Sequence, residues 1–275
     1  MTAAHDIKTM QLYTHVERVQ RELAELGLAP DAMLSPELLE PLDQLHYGGC
    51  AAVDAAIEPL ALDADSRVLE IGSGLGGPAR RLAAETGCRV TALELQPDLN
   101  QCASDLTRRC GLGDQVEHVC GDALDIEPAG APFDAVVSWL TFLHIPERDR
   151  LLNRCRRWLR PGGKLFIEDF HARRAFDESE RRALAEDVYC RDLPAADGYR
   201  DQLRAAGFES VAFDDRTGEW TAFVAERERR FAADAARFRR LHGDAAFEAL
   251  AHFYATMRRL FAGGGLGGAR IVASG

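Results

Sequence analysis

The stretch Arg67-Val68-Leu69-Glu70-Ile71-Gly72-Ser73-Gly74-Leu75-Gly76-Gly77-Pro78-Ala79-Arg80 restricts this chain's fold more than any other. A short apolar run reads as a buried strand, a glycine cluster as a tight turn, and the residues after Pro78 as a helix. Proline suits the first helical turn, where a missing N–H costs nothing. Glycines let backbone approach a ligand closely, and the free N–H groups of the helix start face it. Strand, glycine turn and helix together make a nucleotide-binding opening.

The rest of the chain repeats the alternation. Strands are expected at Arg67–Ile71, Arg89–Leu95, Val116–Cys120, Phe133–Trp139 and Lys164–Asp169, with helices at Ala79–Thr86, Pro97–Cys110 and Pro146–Leu159. Strand–helix alternation implies a parallel sheet covered on both faces, with ligands at one edge. Before the core, apolar residues at helical spacing predict a helix over His5–Leu26, Pro30–Pro41 reads as turns, and Cys50–Leu60 as a helix. After it come helices at Ser179–Cys190 and Ala195–Ala206, a strand at Phe208–Asp214, and two charged helices, Trp220–Leu241 and Asp244–Phe261. Gly263–Gly268 reads as a flexible hinge before a last strand, Ala269–Ala273.

A hydrophobic content of 47% over 275 residues provides for a large core. A net charge of -11 argues against nucleic acid or an anionic membrane as the main partner, because both need a basic footprint. Arg154, Arg156, Arg157 and Arg160 read as the solvated face of a helix. Seven scattered cysteines without a CxxC pair read as reduced thiols in a cytoplasmic enzyme. No apolar start or long apolar run suggests a signal or a membrane span. No histidine–carboxylate cluster has metal-ligand spacing.

Gly72, Gly74 and Gly77 fit G-x-G-x-x-G, and Glu94 ends the second strand, where its carboxylate can accept both ribose hydroxyls. That much suits a nicotinamide dinucleotide and S-adenosylmethionine equally. Glu70 breaks the tie. A carboxylate there repels a pyrophosphate and suits a cationic amino acid or sulfonium. Gly121-Asp122-Ala123 follows the third strand, where an aspartate can accept from an adenine amino group.

The series Val68–Gly77, Leu93-Glu94-Leu95, Gly121-Asp122-Ala123, Phe133–Ser138 and Leu159-Arg160-Pro161-Gly162-Gly163 resembles class I S-adenosylmethionine-dependent methyltransferases over roughly Ala56–Phe170. His46-Tyr47-Gly48-Gly49, Phe142-Leu143-His144 and the helical insert before the last strand resemble the small-molecule methyltransferases acting on sarcosine/dimethylglycine, phosphoethanolamine, sterols and tocopherols. The resemblance implies an α/β, Rossmann-like seven-stranded sheet with helices on both faces and the last strand antiparallel. It implies S-adenosyl-L-methionine as cofactor, with Glu70, Gly72, Ser73 and Gly74 at its methionine end. Glu94 then holds the ribose, Leu95 lies against the adenine, Gly121, Asp122 and Ala123 bind the adenine edge, and Ser138 lies beside the methionyl group. One departure stands. Relatives with a Gln-Asp pair after the fourth strand use it near the substrate, whereas Trp139-Leu140 stand there in this chain.

The activated methyl then needs an acceptor lone pair in line with it and water kept out. Tyr47 and Trp139 are candidates to face the sulfonium through their rings. His144 is a candidate to orient the acceptor or take its proton. Glu168, Tyr13 and Tyr189 are further candidates near the substrate, with Glu168 holding a cationic amine. Residues 1–55 are expected as a helical cap, 56–217 with 268–275 as the core, and 218–267 as a helical lid. The expected reaction is methyl transfer to a small molecule, first an amine nitrogen, with a homodimer as the candidate assembly. An NAD-dependent oxidoreductase and a non-catalytic cofactor-binding protein are the alternatives.

Overall fold

A computed structural model describes residues 16–275. Its centre is a seven-stranded sheet of β1 (Arg67–Ile71), β2 (Arg89–Glu94), β3 (Val116–Cys120), β4 (Phe133–Trp139), β5 (Leu159–Ala172), β6 (Ser210–Asp215) and β7 (Leu266–Ser274), in the order β3-β2-β1-β4-β5-β7-β6. β3, β2, β1, β4 and β5 run parallel, and β7 lies antiparallel between β5 and β6. The chain leaves β3 at one edge and returns as β4 on the far side of β1. This reversal opens a crevice beyond the carboxyl ends of β1 and β4.

Strand residues alternate between two apolar layers. Val68, Val90, Ala92, Ala135 and Val137 pack with α3 (Gly49–Leu60) and α4 (Gly77–Thr86). Leu69, Ile71, Val136, Leu165 and Ile167 pack with α6 (Arg148–Trp158) and α8 (Ala196–Ala205). Both faces are covered, so the strands read as nearly unbroken apolar runs. Each fully buried aliphatic side chain stabilises the fold by about 1.5–3 kcal/mol. Glu70 shares Val68's side of β1 and is the carboxylate that interrupts this pattern, 1% exposed.

Four elements differ from the expectations. Pro36–Asp43, which begins inside the stretch read as turns and runs past its end, is a helix (α2) whose start is capped by the Ser35 hydroxyl accepting from the Leu38 N–H. β5 begins at Leu159, five residues early, through an irregular register against β4. The single helix expected over Trp220–Leu241 is two, α9 (Thr217–Ala233) and α10 (Ala235–His242). The break at Asp234 brings Phe231 to 4.8 Å from Phe238 and 4.9 Å from Phe247 of α11 (Asp244–Ala262), so packing overrides helix propensity. The glycine run is no hinge at its end, because Gly267 and Gly268 belong to β7. The Trp220 ring lies so close over Gly268 that a Cβ there would sit 2.0 Å from it.

Of the helix expected over His5–Leu26, α1 (Glu17–Glu25) is seen, and residues 1–15, Tyr13 among them, lie outside the described residues. Arg237 and Arg240 tie α10 to Glu22 and Glu25 of α1. Phe253, Met257 and Phe261 of α11 and Trp220 of α9 close an apolar cluster with Tyr47 above the sheet edge.

A Gly268→Ala substitution is expected to cost about 1–3 kcal/mol of stability through overpacking against Trp220. Urea denaturation checks this, and an unchanged midpoint contradicts the packing.

Candidate active site

The crevice holds a cavity of about 230 Å³. The glycine turn forms one wall. Gly72 takes φ +74° and passes so close to Thr141, just after β4, that a Cβ would lie 2.1 Å from the Thr141 hydroxyl. Only glycine satisfies both conditions. Behind the turn, Arg80 is fully buried. Its guanidinium donates to Leu75 O at 2.6 Å, Asp43 Oδ2 at 2.8 Å, Thr107 Oγ1 at 3.0 Å and Ala103 O at 3.2 Å. This clamp fixes the turn to α2 and to α5 (Pro97–Arg109). Sequence reading missed it, because Asp43 and Arg80 meet only in three dimensions. Burial lifts the Asp43 carboxyl to about 6 against the pull of Arg80.

Two carboxylates stand at the head of the sheet. Glu94 accepts from Gly74 N–H at 2.8 Å and Gln96 N–H at 2.9 Å, which holds both oxygens in place with outward lone pairs to spare. Burial pushes its carboxyl up, and these backbone bonds oppose the push. Glu70 Oε2 is buried with no hydrogen-bond partner among the described residues. Burial lifts it from 4.5 to about 8; Arg80 opposes this and Glu94 adds to it. A buried oxygen left so costs roughly 1–3 kcal/mol or more. A cation set against it removes that cost, which a pyrophosphate cannot do.

Asp122 lines the rim and accepts from Leu124 N–H at 2.8 Å. Gly121, Ala123, Ser73 and Gly74 line the same cavity. Leu95, beside Glu94, is 37% exposed, an apolar surface open to a flat ring. The cradle therefore fits a cationic nucleoside: acid for ammonium or sulfonium, acid for ribose, a polar edge and an apolar face for the base. Ser138 does not join it. Its hydroxyl donates to Ile71 O at 2.9 Å and clips β4 to β1 in the interior.

The other end of the cavity is aromatic. Tyr47 lies among Trp220 at 5.1 Å, Phe223 at 5.3 Å and Phe170 at 5.9 Å, and it borders the cavity with Trp139. His46, not singled out from sequence, stands 5.8 Å from the Trp139 ring. Burial pushes it down to about 4, while its Nε2 bonds Gly49 O at 3.1 Å. His144 sits on the short 3-10 turn Phe142–His144. Asp169 clamps that turn by accepting from Leu143 N–H at 3.2 Å and from the Tyr199 hydroxyl at 3.0 Å. The His144 Nδ1 is 3.4 Å from Tyr189 O; with Nδ1 as the donor the lone pair stands on Nε2. Burial pushes its pKa down to about 4, so the ring is neutral at pH 7. Tyr189 thus meets the site through its carbonyl, and its side chain is not among those lining the cavity. Glu168 is also absent from the lining. Arg270 holds it at 2.7 Å inside the sheet, where no substrate amine reaches it.

Among the described residues no helix is long and apolar enough to cross a membrane, and no group of histidine, cysteine and acidic side chains is arranged for a metal.

Residues 68–163 match the family model described as "Methyltransferase domain". The chain is 33% identical over 156 residues to a sarcosine/dimethylglycine N-methyltransferase of Halorhodospira halochloris, covering 57% of this chain and 56% of that protein. It is 31% identical over 173 residues to phosphoethanolamine N-methyltransferase 3 of Arabidopsis thaliana, covering 63% and 35%. The match thus spans about half the length of the first relative and about a third of the second. In fold it resembles the Haemonchus contortus phosphoethanolamine N-methyltransferase 2 solved with phosphomonomethylethanolamine and S-adenosylhomocysteine, at a TM-score of 0.77 and 22% identity, over 96% of this chain and 60% of that one.

Glu70 supplies a pH signature. In the ligand-free protein its raised pKa favours the protonated folded form, a stabilisation fully present below about 4.5 and lost as pH rises through about 8. Wild type is therefore expected to lose stability relative to Glu70→Gln over that window, measured by denaturation across pH, while S-adenosylmethionine binds the variant more weakly. A pH-independent difference between the two contradicts this.

Proposed function

We infer the activity from the domain itself: the chain carries a class I S-adenosylmethionine-dependent methyltransferase domain, and we propose that it transfers a methyl group to a small-molecule acceptor. The observation that carries this reading is the buried, unpartnered oxygen of Glu70 beside Glu94 at the head of the sheet. Bound there, S-adenosylmethionine supplies a methyl group already activated on a cationic sulfur. Glu70 and the glycine turn hold its methionine end, Glu94 its ribose, and Asp122, Ala123 and Leu95 its adenine.

The protein's remaining task is positioning, which contributes about 7–11 kcal/mol when reacting atoms are held in line. Tyr47 and Trp139 wall the reaction space and exclude water. α1, with α9, α10 and α11, serves as the lid over it, residues 218–267 forming its larger part. We read the acceptor atom as an amine nitrogen. The relatives named N-methyltransferases support this, and His144 lines the same cavity at its aromatic end. His144 takes the proton that the nitrogen loses. Asp169 and the Tyr189 carbonyl keep the imidazole in position.

Transfer of labelled methyl from S-adenosylmethionine to a panel of amines, phenols, thiols and acids tests this; amines are expected to be labelled, and a phenol- or acid-only result overturns the nitrogen reading. His144→Gln is expected to lower kcat by about 10²–10⁴-fold and to leave S-adenosylhomocysteine binding intact. An undiminished kcat removes the proton-transfer role.

A further inference from the structure

We propose that Arg227 binds an anionic group, carboxylate or phosphate, on an acceptor whose body is apolar, and so selects the substrate. This rests on the methyl-transfer reading above. Asp43, Glu70, Glu94 and Asp122 line the cavity, and Arg227 is the only lysine or arginine among the described residues that does. Asp43 is paired with Arg80, and Glu70, Glu94 and Asp122 belong to the cofactor cradle. Arg227 comes from the insert, on α9.

Its surroundings separate it from its neighbours. Arg229 and Arg230 pair with Glu226, Arg258 with Glu228, and Arg237 with Glu22. Arg227 has no carboxylate partner among the described residues. Its guanidinium donates to His46 O at 2.9 Å and lies over the rings of Phe223 at 4.6 Å, Tyr47 at 5.3 Å and Tyr254 at 5.9 Å. A guanidinium has five N–H donors in a fork matched to two oxygens. The one hydrogen bond fixes its position and leaves the rest of the fork for a ligand.

The cavity around it supports the same chemistry. Tyr47, Leu140, Leu143, Phe170, Val188 and Phe253 line the acceptor end. The neutral His46 and His144 bring no negative charge, and Glu168 is held elsewhere by Arg270. Among the described residues no carboxylate at this end neutralises an ammonium group, and Arg227 repels one. An amine acceptor therefore reacts from its neutral form and is held by its anionic end. A second cavity, of about 810 Å³ between α1, α2, α9, α10 and α11, shares Leu45, Leu75, Leu99 and Arg227 with the first. An acceptor arriving from that side passes the guanidinium.

Calorimetry with phenylacetate, phenyl phosphate and the neutral phenylacetamide, on protein with and without S-adenosylhomocysteine, tests the proposal without turnover. At least one anion is expected to bind about tenfold or more tighter than the amide, and which one does identifies carboxylate or phosphate. Arg227→Gln is expected to abolish the gap and Arg227→Lys to keep part of it, with S-adenosylhomocysteine bound equally by all three proteins as the check on folding. An amide bound as tightly as both anions, or a gap that survives in Arg227→Gln, overturns the proposal. Failure of wild type to bind S-adenosylhomocysteine overturns the methyltransferase reading instead, and the ligand-free titrations still decide the role of Arg227.

Discussion

A carboxylate with one buried oxygen that finds no donor among the described residues sits where the first strand gives way to its turn. Ligand-free, such a group can only hold its proton or bear an uncompensated charge, and Glu70 does the former up to about pH 8. Keeping it costs stability, and a second acid beside it raises that cost. The arrangement becomes favourable when a cation lies in the crevice. In the proposed reading the glycine turn, the clamp behind it and the polar rim hold that cation's carrier.

The clamp shows how the scaffold does this. Arg80 reaches from α4 to the Leu75 carbonyl, to Asp43 and to two groups on α5, so one side chain fixes the turn from behind. A buried ion pair of this kind contributes little net stability, but losing one partner costs about 3–5 kcal/mol. The same division recurs at the acceptor end, where Asp169 and the Tyr189 carbonyl hold the turn and ring of His144 without lining the cavity themselves. α9 adds the one basic side chain among the described residues that line the cavity, Arg227, so the two ends of the crevice differ in sign.

The parts of this design that lie within one strand and its turn were readable in the chain. β1 follows from its apolar run and forms over the residues expected, and Gly72, Gly74, Glu94 and Asp122, singled out by motif spacing, line the crevice. Strand-end residues were harder, because neighbours on a strand point to opposite faces and the chain does not say which face is wet. Ser138 was expected beside the methionyl group and Glu168 near the substrate, yet one clips two strands and the other pairs with Arg270. Contacts between distant segments were invisible: Arg227 meets the carbonyl of His46, and Asp43 meets Arg80, only once the fold is closed. Gly267 and Gly268 misled as a hinge because the side chains that require their smallness, His171 and Thr217 at the first and Trp220 at the second, lie far off in the chain.

The most direct measurement is a calorimetric titration of the ligand-free protein with S-adenosylmethionine and, separately, with NAD. A crevice built around Glu70 and Glu94 for a cationic sulfur compound binds the first and gives no heat with the second. Tighter binding of NAD would mean that the glycines cradle a pyrophosphate, and would contradict the account.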